Sequence, residues 1–314
     1  MSLLIAFSGQ GMQYCDMFTK LAADDWGKHW LEEASQLIHL DLFNTEIVQR
    51  YCDDVVYAQC FIAILSVGSF LAINQYTSLS PEFLCGYSLG ELAAFAVSTQ
   101  TDLNTLCSLT KKRAVLMAEA MDNLPGKKQY RLAVLKDNTN LKQVQQLCTN
   151  FNCSIAIINA EDHYVVGGTV DELRLLLAAA ESQGVSKAEL LRVKVPSHTP
   201  LLSKASEAFL QYLQTVVFAP MKYPILNALT NEVIDKTQDM TSILADELSH
   251  TLQWGRVMRL APEYGISLFL ELGPRSSLKK MFADTNPQIK AYALDDFSSI
   301  AGLAAFMQKA LASL

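Results

Sequence analysis

The 314-residue sequence contains only five histidines, and its seven cysteines form no C-x-x-C pair. The cysteine count is odd and the positions are scattered, which argues against a disulfide framework and against a metal site. We therefore expect reduced thiols in a cytoplasmic protein, with no metal and no permanently bound cofactor. The glycine signatures of dinucleotide and phosphate binding, G-x-G-x-x-G and G-x-x-x-x-G-K-[ST], are also absent, so the sequence gives no support to nucleotide binding.

Charge and hydropathy argue against two classes of partner. The net charge is −7, whereas nucleic-acid binding usually requires a clustered basic surface. The N-terminal apolar run is short and lacks the basic segment of a signal peptide. The longest other apolar stretch, residues 61–73, is interrupted by Ser66, Gly68 and Ser69 and is shorter than the roughly 20 residues that cross a bilayer. We expect a buried helix there, no membrane contact and no nucleic-acid partner.

Residues 86–91 read Gly-Tyr-Ser-Leu-Gly-Glu and lie between an apolar run and a helical pattern. This is the G-x-S-x-G pattern in the strand–turn–helix context of a nucleophile elbow, which predicts an exposed, strained Ser88. The backbone N–H of Leu89, at the start of the helix, would be free to stabilise an oxyanion. The alternative is a buried turn with the same glycines and no chemistry.

A serine nucleophile needs a base, and His198 is the best candidate among the histidines. It ends an alternating strand at the turn Pro196-Ser197-His198-Thr199-Pro200, and loops that follow strands often carry catalytic groups. Its separation from Ser88 along the chain is no obstacle, because the two side chains need only be neighbours in space. Packing or turn positions explain the other four histidines.

Two further segments are candidates for the same site. The Gly9-Gln10-Gly11 turn follows the first predicted strand and would let the backbone approach a reacting group, although an ordinary βα turn has the same composition. Arg113 lies among apolar positions of a helical pattern. A partly buried guanidinium usually holds a carboxylate in two parallel hydrogen bonds. That carboxylate could belong to an internal Asp or Glu, which spacing alone favours, or to a substrate.

The chain is predicted to fold as two units. Residues 123–128 combine helix-stopping residues with a pair of lysines, which indicates a break. The segment that follows has the β-α-β-β-α-β order of a ferredoxin-like fold. We predict an α/β fold: an α/β-hydrolase-like large domain, residues 1–126 and 194–314, with a ferredoxin-like small domain, residues 127–193, inserted between them.

The small domain is predicted to act as a lid. The chain leaves the large domain after the Arg113 helix and returns at His198, so both junctions lie near the proposed site. Its sheet should therefore overhang a cleft, with the polar turn at residues 159–162 facing Ser88. Interfaces between domains are preferred locations for ligand sites.

Over essentially its whole length the sequence resembles the malonyl-CoA:acyl carrier protein transacylase family, because five signature segments occur in the family's order. They are Gly9-Gln10-Gly11-Met12-Gln13, Gly86-Tyr87-Ser88-Leu89-Gly90-Glu91, Arg113-Ala114-Val115-Leu116-Met117, Val195-Pro196-Ser197-His198 and Glu271-Leu272-Gly273-Pro274. The resemblance implies transfer of a malonyl group from malonyl-CoA to the thiol of an acyl carrier protein through a malonyl-serine intermediate.

The resemblance also implies residue roles. Ser88 would be the nucleophile and His198 a general base with a pKa near neutrality. The main-chain N–H groups of Gln10 and Leu89 would form the oxyanion hole. Arg113 would bind the free malonyl carboxylate. The family orients its histidine through main chain, so no third acidic member is required.

Two positions depart from the family pattern. Tyr87 replaces the usual His, and Glu247 replaces a Gln whose main-chain carbonyl orients the catalytic His. In Tyr87 and in several segments of its C-terminal part, the sequence most resembles the malonyl-transferring epsilon subunit of malonate decarboxylase. In that enzyme the malonyl group is accepted by a CoA-derived thiol on a separate carrier subunit. The alternatives are a transacylase of fatty-acid or polyketide synthesis, a serine hydrolase of acyl thioesters, and a non-catalytic carrier-binding subunit.

Overall fold

The computed structural model describes residues 2–124 and 128–312, and two β-sheets organise them. The predicted domain boundary between residues 126 and 127 lies outside the described residues. The larger sheet consists of β1 (Ser2–Phe7), β2 (Phe83–Gly86), β7 (Ile225–Leu226), β8 (Val233–Ile234), β9 (Ile266–Leu272) and β10 (Lys290–Ala293). Its strand order is β10-β9-β1-β2-β7-β8, and only the β7–β8 pair is antiparallel. The central strand β1 is almost entirely apolar because helices cover both faces of a parallel sheet.

The helices associated with this sheet surround it on both sides. They are α1 (Thr19–Ala22), α2 (Asp25–Ile38), α3 (Thr45–Tyr51), α4 (Val55–Tyr76), α5 (Leu89–Ser98), α6 (Leu103–Asp122), α9 (Ser203–Leu213), α10 (Thr237–Asp246), α11 (Trp254–Glu263), α12 (Ser277–Thr285) and α13 (Ile300–Ala312). Side-chain carboxylates cap several N-termini, as Asp102 does for α6 by accepting from Thr105 N.

Helix α4 is the long apolar element predicted for residues 61–73, and it is longer than predicted. Asp54 caps its N-terminus and the helix continues to Tyr76, which gives 22 residues. Among the described residues, α4 alone has the length and hydropathy to cross a membrane. However, 83% of its most apolar window is buried inside the protein, as in the core helix of a globular domain. It packs between α5, α6 and α13, so it forms the centre of the large core.

The second sheet is antiparallel and has the predicted β-α-β-β-α-β order. It comprises β3 (Tyr130–Lys136), α7 (Leu141–Asn150), β4 (Ser154–Ala160), β5 (His163–Thr169), α8 (Val170–Ser182) and β6 (Lys187–Leu190), with strand order β4-β5-β3-β6. The predicted ferredoxin-like unit on an α/β framework is therefore confirmed. Its last strand ends at Leu190, three residues earlier than the sequence pattern indicates.

The two faces of this smaller sheet have different neighbours. Alternate residues such as Ala133 and Val166 pack beneath α7 and α8, whereas Leu132 and Val165 turn toward Trp254 of the larger unit. Main-chain hydrogen bonds join the units where Leu252 N donates to Ala156 O and Ile158 N donates to Leu252 O. The smaller sheet is thereby fixed over the carboxyl ends of the central parallel strands.

Candidate active site

The turn between β2 and α5 holds Ser88 in a conformation that L-residues rarely adopt, with φ 56° and ψ −113°. Glycine is required on both sides of it. A Cβ on Gly86 would collide with the main chain at Glu91, and one on Gly90 would collide with the carbonyl of Phe7. The crossing of β1, β2 and α5 is therefore too close for side chains, and it projects Ser88 from a strained corner.

Ser88 is hydrogen-bonded to His198 across the 110 residues that separate them. The distance from Ser88 Oγ to His198 Nε2 is 2.6 Å, and His198 Nδ1 lies 2.5 Å from the carbonyl oxygen of Glu247. A carbonyl oxygen only accepts, so Nδ1 carries the proton and Nε2 is free to accept one from the serine hydroxyl. Ser88, His198 and the main-chain carbonyl of Glu247 thus have the arrangement of a nucleophile, a general base and the group that orients the base.

The backbone and the surroundings of His198 fix its ring and its charge. Its φ is 64°, its N–H donates to Leu248 O at 2.8 Å, and it is 1% exposed. Burial, and next the nearby positive charge of Arg113, lower the pKa of His198 to about 3, against the hydrogen bond to Glu247 O. The expectation of a base with a near-neutral pKa is therefore wrong: the imidazole is neutral throughout the physiological range.

Arg113 on α6 is 3% exposed and points at the same serine. Its Nη1 donates to Gln59 Oε1 at 2.8 Å, and its Nη2 lies 3.4 Å from Ser88 Oγ. Of the salt bridges in the described parts of the chain, none involves Arg113. Burial lowers its pKa to about 10, partly offset by Glu247. The internal Asp or Glu partner favoured by spacing is replaced by the neutral Gln59, which leaves an edge of the guanidinium facing the cavity.

A cavity of about 280 Å³ at the junction of the two sheets is lined by four of the five predicted site residues, all except Leu89. Its lining is Gln10, Gly11, Met12, Tyr87, Ser88, Arg113, Met117, Leu132, Ile157, Val165, Leu191, Arg192, Val193, Ser197 and His198. The smaller sheet therefore overhangs Ser88 through its strands. The turn at residues 159–162, predicted to face the cleft, is not among the lining residues, and Glu161 and Asp162 are exposed.

The main-chain groups predicted for the oxyanion hole flank Ser88. The first hydrogen bonds of the α5 turn are donated by Gly90 N to Tyr87 O and by Glu91 N to Ser88 O. The N–H of Leu89 precedes both in the chain, at the N-terminal end of the helix, where a main-chain N–H can face a ligand. The turn that carries Gln10 presses against the elbow, because a Cβ on Gly9 would collide with Tyr87 O. Both candidate donors thus lie on segments that meet at the nucleophile.

Tyr87 packs beside the nucleophile as an aromatic wall. Its ring meets that of Trp254 edge to face at 5.4 Å, and it packs against a core cluster that includes Leu132 and Val165 of the smaller sheet. Burial raises the pKa of Tyr87 well above its usual value, so the phenol is neutral. Tyr87 links the elbow to the smaller sheet.

Sequence reasoning missed Gln59, whose side chain holds Arg113. It also donates from Nε2 toward Gln10 Oε1 at 3.4 Å. The available signal was an amide side chain two residues before the apolar run at 61–73, since a polar group beside a buried run needs partners. In the described residues no group of three or more His, Cys, Asp or Glu side chains is placed to hold a metal ion.

Comparisons with known proteins agree with this architecture. A malonyl CoA-acyl carrier protein transacylase from Bacillus subtilis is 25% identical over 313 residues, 95% of this chain and 75% of the relative. One from Buchnera aphidicola is 22% identical over 284 residues, 89% of this chain and 91% of the relative. The solved malonyl CoA-acyl carrier protein transacylase of Coxiella burnetii has a TM-score of 0.89 at 22% identity, with 98% of each chain covered.

A further solved structure is that of a malonyl-transacylase in complex with its type II PKS acyl-carrier protein. It has a TM-score of 0.88 at 22% identity and covers 96% of this chain and 99% of its own. Fold and family together define an acyltransferase. The chain belongs to the acyl transferase domain family, whose profile matches residues 5–309. This membership confirms the class of protein that the five sequence motifs predict.

Proposed function

We propose that the protein transfers a malonyl group from malonyl-CoA to the thiol of a carrier-protein prosthetic group, through a malonyl ester on Ser88. The observation that carries this proposal is the position of Arg113. A buried cation that forms no salt bridge within residues 2–124 and 128–312 lies 3.4 Å from the hydroxyl of the candidate nucleophile, and a carboxylate on the acyl group would satisfy it. The names of the similar malonyl-transacylases support the same assignment.

In the first half-reaction Ser88 Oγ attacks the thioester carbonyl while His198 Nε2 accepts the hydroxyl proton. The resulting oxyanion would be stabilised by the N–H groups of Leu89 and Gln10, a contribution of about 10²–10³ in rate for each donor. Collapse of the tetrahedral intermediate breaks the carbon–sulfur bond. The imidazolium returns its proton to the departing CoA sulfur, and Ser88 carries the malonyl ester.

The second half-reaction reverses these roles. The carrier thiol gives its proton to His198 Nε2 and attacks the ester carbonyl, and the ester oxygen leaves as Ser88 with that proton restored. The hydrogen bond from His198 Nδ1 to Glu247 O keeps the same tautomer in place for both steps.

Arg113 would select diacid thioesters. Acetyl-CoA would leave the buried guanidinium of Arg113 unpaired, and an unpaired buried group disfavours the wrong substrate strongly. Gln59 fixes one edge of the guanidinium, so the other edge is presented to the acyl group in a constant orientation.

We further propose the malonate decarboxylase setting, in which the acceptor is the CoA-derived thiol of a small carrier subunit and the reaction takes place in the cytoplasm. Tyr87 next to the nucleophile supports this narrower proposal. Fatty-acid or polyketide synthesis is the alternative setting, and the names of the relatives favour it.

Single-turnover kinetics tests the proposed function. Protein loaded from labelled malonyl-CoA is mixed either with buffer or with each of two carriers, an acyl carrier protein and a carrier bearing the phosphoribosyl-dephospho-CoA group. We expect the ester to persist in buffer and to be discharged rapidly by a carrier thiol. Rapid discharge by water alone would identify a thioester hydrolase instead. The carrier that reacts faster decides between the two settings.

A further inference from the structure

Two buried carboxyl groups lie directly behind the histidine. Glu91, in the first turn of α5, is 0% exposed, and Glu247, which follows the last residue of α10, is 1% exposed. The two carboxyls are neighbours, because the amide nitrogen of Asn227 lies within hydrogen-bond distance of an oxygen of each. The main-chain carbonyl of the same Glu247 orients His198. The pair therefore adjoins the catalytic machinery without contacting the acyl cavity.

The supply of hydrogen-bond donors to this pair is short. Asn227 Oδ1 accepts the N–H groups of Leu229 and Thr230, each at 2.8 Å, so its amide nitrogen must face the carboxyls. That nitrogen donates to Glu91 Oε1 and, at 3.4 Å, to Glu247 Oε1. Glu91 Oε2 is buried and has no hydrogen-bond partner among the described residues, although the nearby Ala228 backbone also favours the ionised form of Glu91. Two carboxylates in contact repel strongly, and a hydrogen bond between them requires a proton on one.

We propose that Glu91 and Glu247 share one proton, and that this proton holds the Glu247 carbonyl in place against His198, so that its loss at alkaline pH slows acyl transfer. Glu247 is then a positioning residue. The functional part of this inference rests on the proposed transfer reaction.

Other ionisable groups around the pair do not replace the shared proton. Arg113 on α6 attracts Glu247 but bonds to Gln59. Cys85 on β2 is a neutral buried thiol whose pKa is raised by burial and by Glu91. His198 is neutral, as described above. Burial raises the pKa of Glu91 to about 7, and burial together with the neighbouring Glu91 raises the pKa of Glu247 well above its usual value. The pair thus keeps a proton near neutrality and releases it as the pH rises.

Glu247→Gln tests the pair because it keeps the main-chain carbonyl and supplies an amide donor to Glu91. The matched control is Glu271→Gln. Glu271 is another buried carboxyl whose pKa burial raises to about 7, but it bonds to Ser8 Oγ and Lys279 N on the other side of β1. For all three proteins the acylation rate is measured from pH 6 to pH 10. Infrared spectra of the carboxylic C=O stretch are recorded over the same range.

In the wild type we expect the rate to fall above the pKa of the pair, approaching about tenfold per pH unit. This fall should be absent in Glu247→Gln and retained in Glu271→Gln. A protonated-carboxyl band should be present at pH 7 in the wild type and Glu271→Gln and be diminished in Glu247→Gln. A wild-type profile in Glu247→Gln, or an unchanged carboxyl band, overturns the proposal. The infrared measurement does not depend on activity. If no malonyl loading occurred, only the proposed function would be refuted, and the infrared spectra would still test the shared proton.

Discussion

Arg113 Nη2 lies 3.4 Å from Ser88 Oγ, and Nη1 of the same guanidinium donates to Gln59 Oε1 at 2.8 Å. The cation is thus positioned by a neutral side chain and faces the nucleophile. A guanidinium held by an internal carboxylate would have satisfied its charge within the protein. The positive charge of Arg113 is therefore available to an anionic group that enters the cavity.

Arg113→Ala is expected to lower acylation by malonyl-CoA relative to acetyl-CoA. Loss of a buried charge pair typically costs about 2–5 kcal/mol, which corresponds to a fall of about 30-fold or more in the malonyl preference. The preference is measured as the ratio of kcat/KM for the two thioesters. Lys111→Ala, an exposed change on the same helix, serves as the control. An unchanged ratio in Arg113→Ala would make Arg113 a structural residue.

Gln59→Leu should weaken the same preference by a smaller amount. The variant keeps the positive charge but removes the hydrogen bond that orients it, and hydrogen bonds to charged groups contribute about 1.5–3 kcal/mol. The same ratio of kcat/KM values is measured, together with the thermal midpoint to monitor folding. If Gln59→Leu lost more preference than Arg113→Ala, the orienting role assigned to Gln59 would be wrong.

The pH dependence of acylation should lack an inflection near 6.5. His198 accepts a proton only when it is neutral, so the rate is retained above its pKa and lost below it. Because burial and Arg113 lower that pKa to about 3, single-turnover rates should stay level from neutral pH down to about pH 5. In Arg113→Ala the repelling charge is gone, so the acid limb should shift to higher pH. A wild-type inflection near 6.5 would contradict the account.

Gly90→Ala should destabilise the protein severely. The new Cβ would collide with the carbonyl of Phe7 in the central strand, and neither backbone can move without disturbing the sheet. We expect a loss of at least about 3 kcal/mol, the upper end for overpacked cores. Urea unfolding measures it. Gly302→Ala, in the exposed part of α13, is the matched control: its Cβ would meet only the Ser299 side chain, at 3.1 Å, so we expect a change within about 1 kcal/mol. Equal stability of the two variants would show that the elbow is not closely packed.

Local signals made the elbow and the ferredoxin-like unit predictable. Gly86 and Gly90 flank Ser88 within five residues, and the β-α-β-β-α-β order is readable from hydrophobic periodicity and from capping residues such as Thr169. The two-residue strands β7 and β8 were not predictable, because so short a pairing has no periodic pattern of its own.

The electrostatics of the site could not be derived from the sequence in the same way. The low pKa of His198 results from burial, and burial depends on segments distant in the chain. The contact of Gln59 with Arg113 joins two helices, and that of Glu91 with Glu247 joins α5 to the end of α10. Sequence spacing therefore favoured an ion pair for Arg113 that the fold does not form.

Covalent loading from malonyl-CoA shows whether Ser88 is the nucleophile. Wild-type protein and Ser88→Ala are incubated with malonyl-CoA, and intact mass and peptide mapping are recorded by mass spectrometry. The account predicts one malonyl group on the wild type, located at Ser88, and none on Ser88→Ala, whose fold should be unchanged because the hydroxyl faces a cavity. A malonyl group on Ser88→Ala, or one mapped to another residue of the wild type, would contradict it.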